Sequence, residues 1–184
     1  MNQPDRSLQT ATAPSLDAPK SLSKGPILDQ ELQRLPKLAD LLTLWRTKCS
    51  DNALPSWKDF DVFELRPWIG HLNVVDVTAI PFGFRYRIFG SDLSATTGQE
   101  LTGRQYDDLK ESLATEIADS YRAVIADPQP ALVSHSQPAW HRRKVTFDRL
   151  LLPMMADDQD GPRTVMVGAY VSQSDDAGHQ GSKR

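Results

Sequence analysis

Residues 71–89 read HLNVVDVTAIPFGFRYRIF, and this stretch decides the fold. Its first half is rich in β-branched residues, and the segment from Phe84 to Phe89 alternates apolar with charged side chains. The tripeptide Pro81-Phe82-Gly83 between the two halves is typical of a turn. We therefore predict a hairpin of two antiparallel strands over residues 71–80 and 84–89.

Apolar residues recur at helical spacing on both sides of this hairpin. On its N-terminal side the spacing predicts a helix with Pro36 in its first turn and with an apolar face made of Leu35, Leu38, Leu42 and Trp45. A short second helix over residues 60–65 is expected to end before Pro67. On the C-terminal side a longer helix is predicted from Asp108 to Ala126, with a stripe made of Leu109, Leu113, Ile117, Tyr121 and Val124.

Three further extended segments follow the long helix, over residues 131–135, 145–155 and 164–171. Clusters of turn-forming residues separate them. Together with the hairpin they predict a five-stranded antiparallel sheet, with helices on one face and a flanking helix at the N-terminus. The expected fold class is therefore α+β.

The composition predicts one domain between two polar tails. The chain has 184 residues and a net charge of −3, so extended contact with a nucleic acid backbone is not expected. The apolar runs are far shorter than the roughly 20 residues that span a bilayer. Residues 1–26 and 172–184 are expected to be disordered tails of a domain over residues 27–171. The single cysteine, Cys49, permits no internal disulfide, and we expect a cytoplasmic protein.

Motifs of catalysis and metal binding are missing from the sequence. We find no Gly-x-Ser-x-Gly, no phosphate-binding glycine-rich loop and no kinase motif. No pair of histidines or cysteines has the spacing of metal ligands. The sequence therefore predicts a protein without a metal site that is not an enzyme.

Several short motifs, in the correct order, resemble the PAS_5 family of single-domain bacterial PAS proteins. They are Leu44-Trp45, Leu54-Pro55-Ser56, Phe84-Arg85-Tyr86-Arg87 with Gly90, Leu101-Thr102-Gly103-Arg104, and Leu151-Leu152-Pro153. Trp57 departs from the family pattern, since an arginine is expected after Leu-Pro-Ser. The resemblance covers residues 35–171 and implies a PAS-like fold with a sensory or regulatory role. That role is implied by analogy alone, because a fold does not determine a function.

The resemblance also implies that the protein binds no cofactor. Flavin-binding light sensors of this fold have a reactive cysteine two positions after the Gly-Arg pair, and Tyr106 occupies that position here. Haem-binding PAS domains often have a histidine on the long helix, and residues 108–126 contain none.

A PAS domain encloses a small pocket between the sheet and the helices, and strand alternation predicts which residues face it. With Pro153 as the reference, these are Phe147, Arg149 and Leu151 on one strand, Met166, Gly168 and Tyr170 on the next, and Tyr121, with Ile117 and Val124, from the long helix. The apolar members either line a ligand pocket or fill a dry core. A buried arginine must meet an internal partner, solvent or an anionic ligand.

Two other features are candidate interaction surfaces. Arg85 and Arg87 are expected on the hairpin face opposite Phe84 and Tyr86, where they are either solvated or contact a partner. Trp45 either covers the sheet or pairs with a second copy of the N-terminal helix in a homodimer. We expect a non-catalytic signalling module, either a small-molecule sensor or a ligand-free adaptor for a signalling protein, with an enzyme as the third hypothesis.

Overall fold

The computed structural model describes residues 22–50, 53–108, 111–138, 144–157 and 163–174. It contains an antiparallel sheet of five strands, which lie in the order β2-β1-β5-β4-β3. The strands are β1 (Leu72–Thr78), β2 (Gly83–Ile88), β3 (Ala131–Pro138), β4 (Lys144–Met154) and β5 (Arg163–Ser174). The predicted hairpin is β1 and β2, and the predicted α+β class with five antiparallel strands is confirmed.

Five α-helices and three 3-10 turns occur in the described residues. The helices are α1 (Gly25–Leu32), α2 (Pro36–Lys48), α3 (Val62–Leu65), α4 (Ser91–Thr97) and α5 (Glu111–Ala126). The turns are Trp57–Asp59, Arg66–His71 and Tyr106–Asp108. Proline in the first turn of α2 lacks the N–H that a helix leaves unpaired there, which explains why this helix begins at Pro36.

Helices pack on both faces of the sheet. The face of α2 that carries Leu38, Leu41 and Leu42 belongs to one apolar cluster, together with sheet residues Leu150, Leu152 and Met166. The face of α5 that carries Ile117, Tyr121 and Val124 belongs to a second cluster, together with Val75, Leu151 and Val167. We call the two sides of the sheet the α2 face and the α5 face. The N-terminal helix thus lies on the side of the sheet opposite the long helix.

Gly168 on β5 shows how closely α2 approaches the sheet. A Cβ atom at this position would lie 2.6 Å from Cδ2 of Leu41 and 3.0 Å from Cδ2 of Leu38. Only glycine leaves room for both leucines without a shift of their side chains or of the helix.

The domain extends beyond its predicted limits at both ends. Ser23 forms two backbone hydrogen bonds with Leu132 of β3, with N–O distances of 2.8 and 2.9 Å, so chain contacts begin before residue 27. Strand β5 continues to Ser174, which pairs with Val145. Residues 1–21 and 175–184 of the predicted tails lie outside the described residues, as does Leu109 of the predicted stripe. Helix α1 was not predicted, and no residue range was predicted for α4.

Candidate functional site

Arg149 lies inside the domain on the α5 face of the sheet. It extends from the middle of β4, and only 4% of its surface is exposed. Its Nη2 atom donates a hydrogen bond to the hydroxyl oxygen of Tyr121 at 2.9 Å. Its Cζ atom lies 5.3 Å from the centroid of the Tyr121 ring. The long helix α5 therefore positions the phenol that orients the guanidinium.

None of the ion pairs found among the described residues involves Arg149. Asp148 precedes it in the sequence but lies on the α2 face, since neighbouring residues of a strand point to opposite sides. There the buried carboxylate accepts hydrogen bonds from the Ser134 hydroxyl and, at 3.5 Å, from Nη1 of Arg34. This acid is therefore used elsewhere and does not neutralise Arg149.

Tyr121, the hydrogen-bond partner of the guanidinium, belongs to a group of packed aromatic rings on the α5 face. The ring of Phe84 lies 5.1 Å from that of Tyr121 and 5.7 Å from that of Tyr86, both in edge-to-face contact. We call these residues, with Arg149, the Arg149 cluster. Burial raises the pKa of Tyr86 well above its usual value; the neighbouring Tyr121 raises it further, and the charge of Arg149 opposes the shift. The Tyr86 phenol is therefore protonated near neutral pH.

The Arg149 cluster has the chemistry of an anion site. A guanidinium carries five N–H donors, and Tyr121 accepts from one of its nitrogens. Guanidinium groups bind carboxylates and phosphates in a planar, two-point geometry, and the interaction is strong where water is excluded. The rings pack in the apolar cluster of the α5 face, which also contains the aliphatic residues Val75, Val133, Leu151 and Val167.

Four of the predicted ligand residues lie on the α5 face. They are Tyr121, Phe147, Arg149 and Leu151. Phe147 lies in a small separate cluster with Leu93, Val145 and Ala169, and its ring stacks with His135 at 5.7 Å. The structure thus brings Tyr121 and Arg149 into direct contact, with Leu151 in the same apolar cluster as Tyr121.

The predicted orientation of β5 is wrong. Arg149 pairs with Ala169, while Tyr170 pairs with Asp148 and Met166 with Leu152. Directly paired residues share a face, so Met166, Gly168 and Tyr170 lie on the α2 face, away from Arg149. Met166 is buried in the α2 cluster. The prediction missed the register by one residue, which moves every side chain of a strand to the other face.

Tyr170 takes part in a different group of polar residues. Its ring stacks on His71 with a centroid distance of 4.2 Å, and Nε2 of His71 lies 3.2 Å from a carboxylate oxygen of Asp92. The pKa of Tyr170 is raised, first by burial and then by the negative charge of Asp92. This phenol therefore cannot face a ligand bound at Arg149.

Trp45, a candidate for an interaction surface, is a core residue. Its side chain lies in the α2 cluster, and its Nε1 donates a hydrogen bond to the carbonyl oxygen of Pro153 at 3.1 Å. Of the two alternatives for Trp45, the one in which it covers the sheet is confirmed, and its assignment to an interaction surface is wrong.

The two hairpin arginines differ from each other. Arg87 is half-buried and forms ion pairs with Asp76 and, at 2.7 Å, with Asp157. Burial would lower the pKa of Arg87, but its hydrogen bonds and charge contacts with both carboxylates outweigh burial and raise it. Arg85 is exposed, and no ion pair among the described residues includes it. Arg87 therefore stabilises the sheet end, while Arg85 is accessible.

Sequence reasoning did not assign Phe84 and Tyr86 to the site. Their alternation with Arg85 and Arg87 indicated a shared face, but only the position of α5 shows that this face meets Arg149.

Among the described residues, no cluster of three or more histidine, cysteine or acidic side chains could hold a metal ion. No helix in the described ranges is long and apolar enough to cross a membrane.

Comparison with known families gives a match to PAS_5, described as a PAS domain, over residues 34–171. The comparisons with curated proteins and with solved structures each gave no match at the threshold used. The matched range begins just before α2 and ends within β5, so it includes most of the sheet, α5 and the whole Arg149 cluster. The chain therefore belongs to the PAS_5 family of PAS domains.

Proposed function

We propose that this PAS domain is a non-catalytic sensor that binds a small anionic ligand at Arg149. The observation that carries the proposal is the buried guanidinium, which is hydrogen-bonded to Tyr121 and has no carboxylate partner among the described residues. An unpaired buried charge costs several kcal/mol, so a partner of opposite charge is favoured at this position. A carboxylate or phosphate of a ligand would supply that partner.

The surroundings of Arg149 also indicate the rest of the ligand. Phe84, Tyr86 and Tyr121 pack edge to face, and the other buried residues of the apolar cluster on the α5 face, which would form the walls of a site, are aliphatic. Small-molecule sites commonly combine such walls with one or two polar groups that fix the orientation of the ligand. We therefore expect an anion attached to an apolar or aromatic body.

The titration behaviour of the site favours binding over catalysis. A general acid or base works best when its pKa lies near the operating pH. The Tyr86 phenol stays protonated there because burial raises its pKa, and a guanidinium stays charged. These groups hold a ligand more readily than they exchange protons with it.

We further propose that the domain works in the cytoplasm and transmits its signal to a signalling protein. A single cysteine is consistent with a reducing compartment. The second candidate function is a ligand-free adaptor. Arg85 favours it, because an exposed cation that has no ion-pair partner in the described part of the chain can contact a partner protein.

Thermal unfolding of the full chain separates the two functions. The probes are benzoate, phenyl phosphate and the uncharged benzyl alcohol. As a sensor, the wild-type chain should gain thermal stability from at least one anionic probe and less from benzyl alcohol. Arg149→Met keeps much of the side-chain volume without the charge and should weaken that probe at least ten-fold, which corresponds to about 1.4 kcal/mol.

Arg85→Met is the matched control, because it makes the same substitution at an exposed arginine. It should respond to the probe like the wild type. Equal responses of the wild type and Arg149→Met would contradict the sensor and favour the adaptor.

A further inference from the structure

An open cleft of about 430 Å³ lies between the hairpin turn and the Tyr106–Asp108 turn. Small-molecule sites commonly have volumes of roughly 300–1,000 Å³, so the cleft is large enough for such a ligand. Its lining includes Phe82, Phe84 and Arg85 on one side and Gln105, Tyr106 and Asp107 on the other. This cleft is separate from the Arg149 cluster, although Phe84 contributes to both.

The chain itself occupies the outer edge of β2 and forms one wall of the cleft there. Residues 103–106 run antiparallel along this edge, where Gln105 forms a β-bridge with Arg85. Tyr86 makes two backbone hydrogen bonds with the same segment, with N–O distances of 3.0 and 2.7 Å. The Asp108 carboxylate accepts from the N–H of Gln105 at 2.9 Å and so holds the start of the turn. This wall is therefore in place before any ligand binds.

Three aromatic rings give the cleft an apolar surface. Tyr106 lies 5.9 Å from Phe82 and 5.4 Å from Phe84, measured between ring centroids, and both contacts are edge-to-face. The guanidinium of Arg122 on α5 lies 3.7 Å from the centroid of the Phe82 ring. Because these contacts hold the rings, an apolar group of a ligand would meet a fixed surface.

Two exposed side chains of opposite charge line the cleft, one on each wall. Arg85 lies on β2 and Asp107 lies in the turn, and neither forms an ion pair with another residue that the structure describes. Asp76, which also lines the cleft, is paired with Arg87. The two remaining charges cancel, so the cleft favours a ligand that carries one charge of each sign.

We propose that this cleft binds a small zwitterion with an apolar side chain. The carboxylate of the ligand contacts Arg85, its ammonium group contacts Asp107, and its apolar group packs against Phe82 and Tyr106. A guanidinium binds a carboxylate through two parallel hydrogen bonds, which fixes the orientation of the ligand as well as its position. A ligand with only one charge would leave either the arginine or the aspartate without a partner.

Two kinds of molecule have this chemistry, a free amino acid and a short peptide. In a free amino acid both charged groups are bonded to the same carbon atom. A dipeptide separates them by one more residue, which adds up to about 3.6 Å. L-Phenylalanine and glycyl-L-phenylalanine are therefore the two probes, and the tighter binder identifies the source.

The test is isothermal titration calorimetry of the full chain, with the probe added because an open cleft loses a weak ligand on purification. At least one of the two zwitterions should bind. Phenethylamine, which lacks the carboxylate, and 3-phenylpropanoate, which lacks the ammonium group, should each bind at least three-fold more weakly than that zwitterion.

Two substitutions remove the charges of the cleft one at a time. Arg85→Met should weaken binding of the zwitterion at least five-fold and Asp107→Asn at least three-fold. Both positions are exposed, so the variants should fold like the wild type. The matched controls are Arg104→Met and Asp40→Asn, at exposed positions outside the lining, and both should bind like the wild type.

Nuclear magnetic resonance of the wild-type chain provides a measurement that depends on no variant. On addition of the bound probe, the largest shifts of amide signals should lie at residues 82–85 and 105–107. The Arg149→Met variant should bind the probe unchanged, which keeps this proposal separate from the proposed ligand site.

Four results would overturn the proposal. The first is no binding of either zwitterion at millimolar concentration, and the second is equal binding of the analogues that carry one charge. The third is an affinity that Arg85→Met leaves unchanged. The fourth is a set of amide shifts centred away from the cleft, or binding that is lost in Arg149→Met.

Discussion

Replacing Trp45 with alanine is expected to destabilise the domain strongly, because its indole connects α2 to the sheet. The side chain is 6% exposed, and its Nε1 is hydrogen-bonded to the carbonyl of Pro153. Truncation of a buried tryptophan costs about 3–5 kcal/mol. About 1 kcal/mol of this belongs to the hydrogen bond. Since whole domains are stable by about 5–15 kcal/mol, the loss should be easily measured.

The assay is urea unfolding of the full chain, followed by far-ultraviolet circular dichroism at two protein concentrations. Trp45→Phe keeps an aromatic ring but loses the N–H donor, so its loss should be smaller than that of Trp45→Ala. Thr43→Ala, at an exposed position of the same helix, is the control and should stay within about 0.5 kcal/mol. Two results would refute the packing of α2 on its own sheet. One is a decrease in the free energy of unfolding of less than about 1 kcal/mol for Trp45→Ala, and the other is a stability that rises with protein concentration.

Three further predictions concern the sheet and its two faces. The pKa of Tyr86 is raised in the folded state. The stability contributed by its neutral phenol should therefore be full below the ordinary pKa of 10.0 and fall as the pH rises above that value. This fall should be smaller in the Tyr86→Phe variant. Gly168→Ala should cost about 1–3 kcal/mol in urea unfolding, because the new Cβ meets Leu41, and a neutral effect would contradict the assigned register. Arg87→Ala should lower the free energy of unfolding by about 1.5–3 kcal/mol, because it breaks charged hydrogen bonds. Arg85→Ala should change the same free energy by less than about 0.5 kcal/mol. Equal effects of the two substitutions would refute this distinction between the arginines.

The hairpin could be predicted because its pattern is local. Phe84 and Tyr86 alternate with two arginines, and one face of β2 is buried while the other is not. The orientation of β5 could not be predicted in this way. Residues 164–169 are buried on both faces, since α2 packs on one side and α5 on the other, so the sequence shows no alternation there. Only pairing with β4 decides which residues share a face with Arg149.

The short helix α4, for which no residue range was predicted, also has a physical explanation. Helix α4 has the sequence SDLSATT, which is rich in weak helix formers, and tertiary burial of Leu93 and a left-handed Gly98 at its end stabilise it. The early start of the domain likewise depends on a distant contact, the bridge between Ser23 and Leu132. Of the site, the sequence indicated Arg149 and Tyr121, while Phe84 and Tyr86 joined it only through the packing of α5.

Ligand binding at Arg149 is tested most directly by native mass spectrometry of the full chain purified without added ligand. We predict that part of the wild-type protein carries an additional small-molecule mass, which is lost on denaturation. The same mass should persist in Arg85→Met and be absent or at least ten-fold reduced in Arg149→Met. Two results would contradict ligand recognition by this arginine. One is a wild-type spectrum that contains only the mass of the chain, and the other is an additional mass that Arg149→Met retains in full.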